Sequence, residues 1–335
     1  MTLVERPSRP QITYYGLPAL KPNVWDWKVP AYMFVAGAAG SAQILSALAG
    51  LAGGKHASGV VRNGRYIGFA GAVAGAPLLV GDLHTPDRFY NMLRIYRSTS
   101  PLSIGSYILT SFGALSGAAL AGQALADRGH GAVPRAIARV AHFGAAVAGA
   151  GMATYTAPLL SATSTPVWAA APRLLAVAFA CSSMASGAAA LSLAQRSRGG
   201  DRRAADSLEG IMFVSLAAGL AAHLAMLDAQ RRQGVGEALQ RDPGLALKHK
   251  AGSLLLGHVV PLVALVAGRA TRRTDPALSR VAAGAALAGA WFTRSAMVGA
   301  GVRSAEDSRE SLRFARRGDR QLIGGRYGGA RHAAS

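Results

Sequence analysis

The residues of this sequence best suited to chemistry stand at the ends of apolar segments. Asp82 closes the charge-free run IGFAGAVAGAPLLVG and opens the stretch GDLHTPDRFYNMLR, with His84 and Arg88 close behind. A carboxylate at such a boundary is partly stripped of water. That disfavours its ionised form and makes it a better proton acceptor near neutral pH. A histidine two positions on is a ready relay to water. Other polar residues recur at comparable places. Trp25, Trp27 and Lys28 precede the first apolar segment, Tyr155 lies near the end of the fourth, and His223 and Asp228 close the sixth. His258 lies near the start of the seventh and Arg294 near the end of the eighth.

Those residues are positioned by apolar segments long enough to cross a bilayer, which takes about 20 residues per helix. The sequence predicts helical spans near 29–53, 64–82, 104–126, 139–160, 173–195, 207–228, 252–268 and 278–299. The fold class is all-α, a polytopic membrane protein. Small residues dominate the spans (AGAAGSAQ, GAVAGAP, GAAVAGAGMA), as suits close helix packing in lipid. With alternating spans, the polar residues named above collect near the face that holds both termini. The loops of the other face carry mainly basic and small residues.

Composition agrees with this reading. Of the 335 residues, 16% are charged, against about 25% in soluble domains. The net charge of +20 is scattered between apolar spans rather than gathered on one polar surface. The lipid bilayer is therefore its expected partner, and nucleic acid is not. The single cysteine, Cys181, is one thiol where a cluster needs about four. No Asp or Glu falls at the centre of a span, so the carboxylate relay of an ion-coupled transporter is missing. The N-terminus, MTLVERPSRPQITYYG, has no apolar core of a cleavable signal. Short basic loops on the face away from the termini favour a cytoplasmic location for that face, with the termini outside.

Several stretches together resemble the NrfD/polysulfide-reductase-type membrane subunits of molybdopterin oxidoreductase complexes. They are YYGLPALKPNVWDWKVPAYMFVAGAAG (14–40), GDLHTPDRFYNMLR with SPLSIGSYIL (81–109), TYTAPLLSATSTPVW (154–168), GHVVPLVAL (257–265) and GAWFTRSAMVGAG (289–301). The resemblance implies eight helices in two four-helix bundles. The chain then divides into a lead-in (1–28), a first bundle (29–165), a second bundle (166–300) and a basic, disordered tail (301–335). It also implies a quinone as bound substrate, held by the Trp27–Lys28 region, Asp82 and Tyr155. Asp82, His84 and Tyr155 are the expected catalytic residues, and Arg88, His223, Asp228, His258 and Arg294 are secondary candidates. Arg294 is expected to snorkel or to pair with Asp228. The expected partners are a ferredoxin-like iron–sulfur subunit and a molybdopterin catalytic subunit. The chain itself is expected to carry no haem, metal or cluster, and to be an oxidoreductase subunit rather than a complete enzyme.

Three other readings stay open at this point. A haem anchor would use His223 and His258 as a ligand pair. A solute transporter would use the helix breaks at Pro77, Pro158 and Pro261. A structural anchor would bind no quinone.

Overall fold

The computed structural model describes residues 18–316 apart from Lys55, His84, 198–199 and 271–275. It is helical wherever regular structure occurs among the described residues. Seven helices are long and apolar enough to cross a membrane: α1 (Lys28–Ala52), α3 (Pro101–Asp127), α4 (Ala132–Ser161), α5 (Pro172–Ser197), α6 (Arg202–Arg232), α7 (Pro243–Ala270) and α8 (Pro276–Glu306). The eighth, α2 (Ala57–Gly81), qualifies when taken with the segment Pro86–Arg94, which bends away from it by 118°. At 1.5 Å per residue α2 is about 37 Å long, enough to span a hydrocarbon core of about 30 Å. Its first turns carry Arg62, Asn63 and Arg65, which dilute its hydropathy.

Local chemistry sets the helix ends. α3, α5, α7 and α8 each begin with proline, whose missing N–H is no loss in a first turn. The Ser100 hydroxyl caps α3 by accepting from the Ser103 N–H. Asp201 caps α6 through Ala204, and Asp242 caps α7 through Gly244 and Leu245. Gly53, at φ 70°, ends α1 in a conformation that side chains disfavour.

The helices meet in a definite order. α1 packs on α2, α2 on α3, α3 on α4 and α4 on α1. α5 packs on α6, α6 on α7, α7 on α8 and α8 on α5. α1 also meets α5 and α8, so it lies against helices of both halves of the chain. Buried side chains there are mostly alanine, with Met33, Phe179 and Trp168 filling larger gaps. Small residues permit close backbone approach where lipid removes any hydrophobic drive. The closest case joins α7 to α8, where a side chain on Gly289 would meet the backbone of Gly257.

Four predicted boundaries move by seven residues or more, the first being the start of α4, at Ala132 rather than 139. α2 begins at Ala57 rather than 64, because an arginine near a helix end does not stop the helix. α7 begins at Pro243 rather than 252, and its residues Lys248–Val259 form a π-helix. α8 runs on to Glu306, and residues 308–316 are helical too. The part of the predicted tail from 301 to 316 is thus ordered helix. There the Glu310 carboxylate accepts from the Gly236 N–H at 2.6 Å, and the Ser311 hydroxyl donates to the Ser304 carbonyl. The rest of the tail lies outside the described residues.

Candidate functional site

The site is built where α1, α2, α3 and α4 converge. Tyr155 interrupts α4: one helical piece ends at Thr154 and the next begins at Thr156. Its hydroxyl donates to the Tyr32 hydroxyl at 2.5 Å, and the two rings meet edge to face. Both side chains are buried. Tyr155 lies across Gly105 of α3, where any side chain would collide with its ring. Tyr32 lies beside Gly75 of α2.

An apolar cavity of about 220 Å³ adjoins the pair, between α2 and α3. It shares Ala72, Ala76, Leu79 and Leu109 with the cluster around Tyr32 and Tyr155. Phe89, Met92 and Leu93 from the bent segment line it as well. That segment is tied down by the Tyr107 hydroxyl, which donates to the Leu93 carbonyl at 2.6 Å. Ser106 and Thr110 supply hydroxyls to the cavity wall, each donating to its own helix.

Lys28 begins α1, one turn before Tyr32. Its stem lies over Gly81, and its ammonium pairs with Asp26. That exposed pair holds the Asp26 carboxyl below its usual range, chiefly through the lysine hydrogen bond. Asp82 follows Gly81 as the last cap of α2, half-buried. Counting along α2 from Gly75, Asp82 stands about 10 Å nearer the membrane face than the Tyr32 ring. Lys28 and Asp82 thus stand at the same end of α1 and α2, and the tyrosine pair lies deeper. His84 lies outside the described residues. Arg88 is exposed on the single turn Pro86–Arg88.

Other candidates sit elsewhere. Trp27 is 62% exposed and lines a separate cavity of about 520 Å³, shared with Asp242, Lys248 and Arg303. Trp27 thus faces a different cavity from the one beside the tyrosine pair. Asp228 is exposed and pairs with Arg232. Arg294 neither snorkels nor pairs with Asp228. It is 1% exposed, with Nη1 donating to the Ser182 hydroxyl and Nη2 to the Ser183 hydroxyl, both at 2.8 Å. It also donates to the carbonyls of Met33, Phe179 and Ala290, and its guanidinium stacks over Phe179. Its role is to join α1, α5 and α8.

His223 and His258 do come together, but as a contact between rings, with centroids 5.7 Å apart and planes perpendicular. Such contact leaves no gap for a porphyrin plane. His223 Nε2 instead shares a hydrogen bond with His249 Nε2 at 3.1 Å, and His258 Nδ1 is bonded to the Ser253 carbonyl. Among the described residues, no group of three or more His, Cys, Asp or Glu is placed to hold a metal ion. Sequence reasoning missed Tyr32 and His249. The available signal for Tyr32 was its spacing, four positions after Lys28 on one helix face.

A helical chain with this many spans and a buried polar site near one face is a multi-pass integral membrane protein. The family model described as polysulphide reductase, NrfD matches residues 17–304, and the chain belongs to that family of membrane subunits of polysulfide-reductase-type complexes. A comparison with curated proteins gave no match.

Proposed function

We propose that this subunit exchanges electrons between the membrane quinone pool and an iron–sulfur partner subunit, which leads on to a molybdopterin catalytic subunit. The observation that carries the reading is the buried Tyr155–Tyr32 hydroxyl pair beside an apolar cavity, with Lys28 and Asp82 at the nearby ends of α1 and α2. The two rings of helix contacts support reading the chain as two four-helix halves, with the site in the first.

Quinol oxidation yields quinone, two electrons and two protons. The electrons pass to the partner's cluster. Each proton needs an acceptor within hydrogen-bond reach or one water away. Tyr155 and Tyr32 hold one quinone oxygen, their shared hydrogen bond opening to admit it. The apolar cavity takes the ring or the first part of the chain. Asp82 receives the two protons one after the other, and His84 passes each to water before the next arrives. The bent segment 86–94 and the neighbouring ends of α1 and α3 form the docking surface for the iron–sulfur subunit.

The test is binding of a fluorescent quinol-site inhibitor to membranes holding the whole complex. Saturable binding that weakens in both Asp82→Ala and Tyr155→Phe is expected. Absence of binding to the unaltered complex would overturn the reading and leave a structural anchor.

A further inference from the structure

A second pocket lies at the opposite end of α1–α4. It measures about 650 Å³ and is lined by Arg62, Arg65, Arg139, Gln123 and His142, with Leu51, Val61 and Phe143 among its apolar walls. Arg65 is the central residue. It is 7% exposed, and its Nη1 donates to the Gln123 side-chain oxygen. Its Nε is buried without an acceptor among the described residues. A buried donor left without an acceptor is unfavourable, because it has lost its water and gained nothing in exchange. The cluster thus lacks one oxygen acceptor beside a buried guanidinium.

Charge points the same way. The pocket wall holds three arginines and no carboxylate. Asp127, just behind it, is already engaged by Arg62 at 3.0 Å and by the Gln123 amide at 2.7 Å. His142 is bonded to the Gln43 amide and to the Ser46 hydroxyl. The pocket therefore carries positive charge that its own side chains do not offset. Arg62, Arg65 and Arg139 stand within about 12 Å of the first residues of α2 and α4, the depth of a lipid headgroup. The pocket lip is apolar and open: Leu51 is 69% exposed and Phe143 54%. An acyl chain fits that lip, whereas a free ion would gain nothing from it.

We propose that this pocket binds the phosphate of an anionic membrane lipid, with Arg65 and Arg139 on the phosphate oxygens and the acyl chains along Leu51, Val61 and Phe143. Basic pockets between membrane helices take lipid phosphates in this way. Guanidinium groups give bidentate contacts to such oxygens.

The complex, freed of lipid in a non-ionic detergent, is titrated with cardiolipin, phosphatidylglycerol, phosphatidylcholine or inorganic phosphate. Thermal unfolding and native mass spectrometry are the readouts. Cardiolipin or phosphatidylglycerol is expected to raise the unfolding midpoint and remain bound, and phosphatidylcholine is not. Arg139→Gln, on an exposed position, is expected to weaken anionic-lipid binding about fivefold, the effect of one basic residue at an anionic surface. Its lipid-free midpoint should match the unaltered complex. Arg65→Gln should weaken binding at least as much if it assembles. Equal binding of phosphatidylcholine, or unaltered affinity in Arg139→Gln, would overturn the proposal. So would inorganic phosphate binding as tightly as the lipids.

Discussion

Tyr155 and Tyr32 stand 123 positions apart in the chain, yet the hydroxyl of one donates to that of the other at 2.5 Å inside the protein. α1 supplies one ring and the break in α4 the other. Two phenols sharing one proton bond can each turn toward a third oxygen without leaving a buried group unsatisfied. Tyr155→Phe should therefore lower quinol-dependent electron transfer by up to about tenfold, the scale of one hydrogen bond. Assembly should be retained, since the ring still fills its space. Steady-state rates with a range of quinol concentrations will show the loss as a raised KM. An unchanged KM would assign the pair to packing alone.

Asp82 is a different case, because in the proposed mechanism it accepts a proton in the reaction itself. Asp82→Asn keeps the size of the side chain and removes its basicity. Turnover should fall by about 10²–10⁴-fold, with partial recovery as pH rises and water or hydroxide replaces the carboxylate. Full turnover in an assembled Asp82→Asn complex would remove Asp82 from the mechanism.

Gly105 is the surface on which the Tyr155 ring rests. Gly105→Ala should push that ring from Tyr32 and narrow the approach to the cavity. Overpacking of this kind costs about 1–3 kcal/mol. Inhibitor affinity should drop more in Gly105→Ala than in Gly113→Ala, which adds a methyl group to the same cavity in ordinary contact with Ala72. Equal effects of the two substitutions would separate the cavity from the tyrosine pair.

Arg294 should be a stability residue. Its removal takes away five hydrogen bonds to acceptors on α1, α5 and α8, two of them the Ser182 and Ser183 hydroxyls. Arg294→Met should destabilise the chain by about 1–3 kcal/mol, the scale of a buried polar group losing its partner. Arg294→Lys should rescue little, because an ammonium cannot reproduce the planar fork. Thermal unfolding in detergent measures both.

The Glu310 carboxyl lies above its usual range, chiefly because burial disfavours its charge, with Asp307 and Glu237 adding repulsion. A raised acid binds its proton more tightly folded than unfolded. Docking of residues 308–316 is therefore weakest at pH above the folded value and strengthens as pH falls through it. Hydrogen exchange across this segment should slow on acidification after correction for intrinsic rates. In Glu310→Gln that dependence should flatten.

Depth was legible only in part, and direction was not. Hydropathy reports position along a helix axis, so Asp82 and Tyr155 could be given an approximate level, whereas Arg294, expected near the end of its span, lies well inside the helix that runs on to Glu306. Which way a side chain faces depends on which helices are neighbours. Arg294 points into the seam between helices, whereas Asp228 pairs with Arg232 at the surface. Tyr32 escaped notice because a phenol within an apolar run looks like core until its partner from α4 is known. The start of α7 was hidden by Lys248, His249 and Lys250, whose polarity ends a hydropathy window while the π-helical backbone continues through them.

Arg294 carries its charge where α1, α5 and α8 meet, surrounded by neutral hydroxyls and carbonyls. A proton or metal cation entering that seam to within about 5 Å would face roughly 3 kcal/mol of repulsion at an effective dielectric constant of about 20. The same group that holds the helices together thus also makes the seam between the two halves of the chain unfavourable to cations.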